Sequence, residues 1–224
     1  APRKSPPRMF RKSSPPIEPR HALSLFEVDG YQYGLSTDLA VMPLDRLEPV
    51  SPSPFRGLVL SEQTTLPVAF VLSRQAVLET GDPRGKLFVK RPLEFREAVP
   101  LSGNRARVSG VTYHETRWGD WVRDRRLVIA PPLSRAPSFA LDGRRWLDVS
   151  ILSQTLVAYE GTRPVFVTLV STGRDGLSSS GEHATVQGTF VIHTKHTTWN
   201  MGRGAGREAY DLREVPYVQY FHDG

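Results

Sequence analysis

An all-β fold is predicted by three features of this sequence. Short apolar runs rich in β-branched and aromatic residues recur along it, as in Val68-Ala69-Phe70-Val71-Leu72 and Val165-Phe166-Val167. Nineteen Pro and eighteen Gly fall largely between those runs, where they act as turn residues. Apolar residues at the 3.6-residue helical period are hard to find over any dozen positions.

In chain order, residues 1–20 are basic, Pro-rich and nearly without apolar side chains, so they read as an extended tether. The plain reading is a passive arm; the functional one is a spacer from a membrane anchor or signal peptide upstream of Ala1. Residues 21–60 form an irregular β connection. Within it, Ser24–Val28 and Tyr31–Leu35 flank Asp29-Gly30, the signature of a tight hairpin. Pro43, Pro49, Pro52 and Pro54 then break the chain before Phe55–Leu60.

Residues 61–130 predict a small barrel, with strands at 68–72, 87–89, 105–108, 111–116 and 121–122 running on to 128–129, separated by Gly-containing turns. Tyr113, Trp118 and Trp121 read first as core aromatics and second as a ligand-stacking set. Residues 131–143, opening Pro131-Pro132-Leu133-Ser134, read as a linker. In residues 144–224, Leu147, Val149 and Ile151 alternate with Asp148 and Ser150, which predicts a strand with its apolar side chains on one face. Glu160-Gly161-Thr162 turns into a return strand at 164–170, and further strands are expected at 189–193 and 217–221.

Four motifs in residues 144–224 give this segment a family likeness. They are Asp148-Val149-Ser150 leading to Gln154-Thr155-Leu156-Val157-Ala158-Tyr159-Glu160-Gly161, then Val170-Ser171-Thr172-Gly173, then Gly188-Thr189-Phe190-Val191-Ile192-His193-Thr194-Lys195-His196, and finally Val215-Pro216-Tyr217-Val218-Gln219-Tyr220-Phe221. In this order and spacing they resemble the front two-thirds of an L,D-transpeptidase (YkuD-type) catalytic domain, the cysteine enzymes that cross-link peptidoglycan. The piece from Tyr113 to Arg123 resembles the distal hairpin of bacterial SH3-like domains. The expected architecture is therefore an SH3-like small barrel followed by an incomplete L,D-transpeptidase-type β-sandwich.

That resemblance implies acyl transfer between peptidoglycan stem peptides through a Cys thioester. The family's catalytic His and its Ser/Thr-His-Gly-Cys motif fall beyond Gly224, and the chain has no Cys. No catalytic residue is therefore assigned; the expectation is a fragment, a processed product or a protein without catalysis. By the same resemblance, Lys195, His196, Met201, Tyr210 and Tyr220 bind substrate, on a strand exit and a flap over the donor peptide. Gly202-Arg203-Gly204-Ala205-Gly206-Arg207 reads equally as a mobile cationic lid and as a plain surface loop. The family's Pro-Thr-Pro loop is replaced here by Ala184-Thr185-Val186-Gln187, which removes both prolines.

Other chemistries find little support. The net charge of +6 and pI near 9.8 read mainly as a solvated, Arg-rich surface, and no nucleic-acid partner is expected. Without Cys there are no disulfides, Cys-ligated zinc sites or iron–sulfur clusters. His193 and His196 are three apart on an extended segment and point to opposite faces, while His222 reads as a turn residue, so no metal site is expected. The Gly/Ser-rich stretch from Gly173 to Gly188 lacks a Gly-Lys-Ser/Thr phosphate pattern, and no cofactor is expected. The chain has neither an apolar run of membrane-spanning length nor a signal-peptide core. The family likeness places the protein in the cell envelope, periplasmic or secreted, or alternatively makes it a non-catalytic wall-binding scaffold.

Overall fold

The computed structural model describes residues 22–36, 39–46, 53–125, 127–177, 183–203 and 210–222. The expected tether at 1–20 lies outside them, as do Pro49 and Pro52 of the connection. Within the described residues the protein is all-β, built of antiparallel sheets with two short 3-10 helices. Its contacts group into two units, one formed by 54–188 and the other by 1–53 with 189–224.

In the smaller unit, β1 (Ala22–Val28), β2 (Tyr31–Ser36) and β3 (Val41–Pro43) make a three-stranded sheet in that order. Asp29 and Gly30 both take positive φ, 53° and 78°, as the expected two-residue turn requires. Phe26 and Tyr33 stack across the pair at 5.7 Å.

The larger unit opens with β4 (Leu58–Val59) and β5 (Val68–Val71). There follow β6 (Val77–Gly81), β7 (Leu87–Pro92), β8 (Ala98–Val108), β9 (Val111–Thr116), β10 (Trp121–Arg123) and β11 (Leu127–Ala130). Strands β5 to β11 form one antiparallel sheet, ordered β11-β5-β8-β9-β10-β6-β7. β8 serves both ends of it, pairing with β5 through Ala98–Pro100 and with β9 from Leu101 onward. Its register breaks between Leu101 and Arg105, where Gly103 sits at φ 96°; such a bulge bends a strand. Strands lie at each position expected between 61 and 130, but the run expected from Trp121 to Ile129 is divided into β10, paired with β9, and β11, paired with β5, and β6 is an additional strand.

A second sheet is formed by β12 (Arg145–Ser150), β13 (Thr155–Glu160), β14 (Arg163–Leu169) and β4, in the order β12-β13-β14-β4. All four side chains of β5 are fully buried, and the period of two divides them between two cores. Val68 and Phe70 join Leu60, Leu66, Val157, Tyr159 and Val167 in one cluster. Ala69 and Val71 join Leu78, Val99, Leu101 and Val122 in the other. Truncating a side chain as enclosed as Phe70 to Ala costs about 3–5 kcal/mol.

The expected linker at 131–143 sits inside this unit. Leu133 packs on the first core cluster, Ala140 is buried, and a 3-10 helix at Ser138–Asp142 ends on Gly143 at φ 72°. Core residues from both sides of it, Phe70 and Val157 among them, share one cluster.

Three expectations for the later strands change. β12 alternates as expected, but with the opposite face inward. Leu147 and Val149 are 47% and 43% exposed, whereas Trp146 packs on the core. The physical reason is aromatic area, since Trp146 stacks on buried Tyr159 and buries more surface than either aliphatic side chain. Residues 189–193 are not a strand; pairing begins with β15 (Thr194–Lys195). The strand expected at 217–221 shortens to β18 (Gln219–Tyr220), because Tyr217 turns at φ 57°. Between these lie β16 (Thr198–Arg203) and β17 (Tyr210–Pro216), a hairpin where the sequence suggests a loop from Gly202 to Arg207. Of that loop, residues 204–207 lie outside the described residues.

Candidate functional site

The smaller unit brings three of the five candidate residues together. Lys195 pairs with Gln219 and Thr194 with Tyr220 in the β15–β18 ladder. The ladder continues past β15, with the His196 amide donating to the Val218 carbonyl at 2.9 Å and the His193 amide donating to the Tyr220 carbonyl at 3.0 Å. The His196 ring stacks on Trp199 at 4.2 Å and meets Tyr220 edge-on at 5.9 Å. Lys195 is exposed, while His196 and Tyr220 are half-buried. The result is a short aromatic wall of His196, Trp199 and Tyr220, with Lys195, the neighbour of His196 along the extended segment, on the opposite face. A second aromatic group lies on the same pair of segments, where Phe190 meets Phe221 at 5.6 Å and His222 at 5.5 Å.

Met201 and Tyr210 fall on the β16–β17 hairpin rather than on that wall. Met201 pairs with Leu212 and is half-buried, and Tyr210 pairs with Arg203. Trp199 opens the same hairpin opposite Val215, so the hairpin is joined to the wall through its stack on His196.

In the larger unit, Val170-Ser171-Thr172-Gly173 leaves β14 under the control of one side chain that sequence reasoning passed over. Gln154 sits in the β12–β13 turn at φ 53°. Its Oε1 accepts the Thr172 amide at 2.9 Å, and its Nε2 donates to the Ile151 carbonyl at 2.8 Å and to the Thr172 hydroxyl. Its own carbonyl accepts the Val170 amide at 2.9 Å. Gln154 thus ties the turn to the strand end. The available signal was a Gln at a turn position with positive φ, where Asn or Gly is more usual.

Gly173 then passes so close to the returning chain that a Cβ would lie 2.0 Å from the His183 carbonyl oxygen and 2.6 Å from the Thr185 amide nitrogen. Its amide donates to the Thr185 hydroxyl at 2.7 Å, and the Asp175 carboxylate accepts the His183 amide at 2.9 Å. Thr185 and Asp175 therefore hold this loop. Residues 178–182 of this loop lie outside the described residues.

Comparison with family models, with curated proteins and with solved structures found no match to the chain. The chemistry must then be read from the residues themselves. The 224 residues supply no thiol. His193 Nδ1 lies 2.8 Å from the Thr194 hydroxyl, and His114 Nε2 lies 2.9 Å from the Asp124 carboxylate. Neither pair is a nucleophile–base–orienter set, which needs a third group in line. Among the described residues, no three His, Asp or Glu side chains gather closely enough to hold a metal.

The aromatic candidates of the larger unit divide. Tyr113 is 9% exposed and belongs to the interior, while the Trp121 indole donates to the Gly81 carbonyl at 3.1 Å. Trp118 stands 66% exposed on the β9–β10 turn.

Proposed function

We propose that the chain belongs to a peptidoglycan L,D-transpeptidase, in which these residues scaffold and bind while a thiol from outside them does the chemistry. The observation that carries this reading is the occurrence of four family-like motifs, in order, between Asp148 and Phe221. It is further supported by the first motif forming the β12–β13 hairpin, by Gln154 bracing the Val170–Gly173 segment, and by Lys195, His196 and Tyr220 meeting at one ladder. In this reading the aromatic wall of His196, Trp199 and Tyr220 holds the donor stem peptide. A Cys thiolate attacks the donor carbonyl and expels the terminal D-amino acid. The amine of a second stem then attacks the thioester, takes over the acyl group and releases the thiolate, with backbone N–H groups steadying each oxyanion. The proposed setting is the cell envelope, with stem peptides as partners.

The second reading, a non-catalytic wall-binding scaffold, is favoured by the lack of any thiol in the 224 residues. Incubating the native full-length protein with a carbapenem and weighing it separates the two. A covalent adduct is expected. Binding to purified cell-wall sacculi without any adduct decides for the scaffold, and absence of both overturns the peptidoglycan assignment.

A further inference from the structure

We propose that a groove in the larger unit, between Arg74 and Arg125, binds a short acidic peptide with aliphatic side chains. This goes beyond the acyl-transfer reading and does not rest on it. The groove encloses ≈ 610 Å³ between the β5–β6 turn, the β7–β8 turn and the end of β10. Its apolar lining comes from Leu72, Ala76, Val89, Val122 and Phe95, with Val89 64% and Phe95 42% exposed.

Its charge is unbalanced. Three arginines line it against one acid, Glu79. Arg123 is already committed, since its guanidinium donates to both oxygens of the buried Glu79 carboxylate at 3.0 and 2.8 Å. Arg74 and Arg125 are exposed and have no carboxylate within ion-pair distance among the described residues. Two guanidinium forks flanking an apolar strip complement carboxylates spaced around an aliphatic side chain. The groove is poorly suited to nucleic acid. Among the described residues Phe95 is the one aromatic ring lining it, and the guanidiniums of Arg74 and Arg96 already lie over it, at 5.3 and 5.1 Å from the centroid. A base stacking on that ring would have to compete with them.

The test is fluorescence anisotropy at low salt, with native full-length protein and a labelled acetyl-Ala-Glu-Leu-Glu-Ala amide as probe. The Arg74→Gln/Arg125→Gln variant is expected to bind about tenfold more weakly, and the peptide with both Glu replaced by Gln to lose affinity to the same degree. Arg105→Gln/Arg107→Gln removes the same charge from exposed positions on β8 and is expected to change nothing. Equal weakening by that control, equal binding of the Gln peptide, or no binding of the acidic peptide overturns the proposal. So does Arg74- and Arg125-dependent binding of short oligo-thymidine or phosphatidylglycerol vesicles in place of the peptide. Thermal melts confirm folding, and if the double variant fails to fold, Arg125→Gln alone decides on the same criteria.

Discussion

The Trp146 indole lies flat on the Tyr159 ring, 4.4 Å between centroids and 12° from parallel. Phe139 meets the indole edge-on at 5.5 Å, and the indole N–H donates to the Gly161 carbonyl at 2.8 Å. This stack holds β12 with its unexpected face inward. Trp146→Ala is therefore expected to cost about 3–5 kcal/mol in urea unfolding, and Trp146→Phe, which keeps most of the area but loses the donor, about 1 kcal/mol. A Trp146→Ala protein with unchanged stability rules out that role for the stack.

Tyr159 carries its own pH signature. Its hydroxyl is buried with no hydrogen-bond partner among the described residues. Burial, and secondarily the charge of Asp148, push its pKa up to about 12. The unfolded value is about 10, so the folded state holds the proton more tightly. The stabilisation is complete below about pH 10 and is lost as the pH rises toward 12. Tyr159→Phe is expected to flatten that alkaline decline, and at neutral pH to be as stable as the native protein or more so. Unfolding midpoints taken across the alkaline range check both statements.

Asp148 follows the same logic at the acid end. Burial raises its pKa above the ordinary carboxylate value, which favours the protonated form in the folded protein. Its contribution is complete below the unfolded pKa of about 3.9 and falls as the pH rises through the folded value. Asp148→Asn is expected to be more stable than the native protein at neutral pH, with the difference vanishing near pH 3. A neutral-pH loss in the variant contradicts this assignment.

Glu79 and Arg123 predict a large asymmetry. The Glu79 side chain is 4% exposed and Arg123 is its ion-pair partner at 2.8 Å. Arg123→Ala leaves a buried carboxylate uncompensated and is expected to cost about 3 kcal/mol. Removing both charges as Glu79→Leu/Arg123→Leu is expected to recover most of that. Equilibrium unfolding of the two variants side by side measures it.

The Gln154 brace is testable by amide exchange. Gln154→Ala is expected to speed exchange at Thr172 and Val170 and to destabilise the unit by about 1–3 kcal/mol. Gly173→Ala is expected to break the close approach to His183 and Thr185, with faster exchange at Gly173 as the readout. Unchanged exchange in both variants dismisses the brace.

What the sequence made legible is local. The Asp29-Gly30 hairpin, the runs at Val68–Val71 and Val111–Thr116, and the β12–β13 turn carry their signals within a few residues. The inverted face of β12 was not legible, because Leu147 and Val149 look like core until Tyr159 provides a stacking partner for Trp146. The early end of the 217–221 strand depends on a single left-handed residue, Tyr217, which no composition rule marks. Of the candidate site, the meeting of Lys195, His196 and Tyr220 follows from neighbouring segments pairing. Gln154 and the Arg74–Arg125 groove arise from residues distant in sequence, whose juxtaposition only the fold creates.

The pairing of β4 with β14 joins Val59 to Phe166, residues more than a hundred positions apart. During synthesis the first of these must wait for the second, so the nascent larger unit emerges with Leu60, Leu66 and Phe70 lacking half of their partners. A protease cut around Pro131–Pro132 is therefore expected to have two different effects. Before assembly it would strand an intermediate with exposed apolar surface, whereas afterwards the shared core and the β4–β14 pairing are expected to keep the two pieces together.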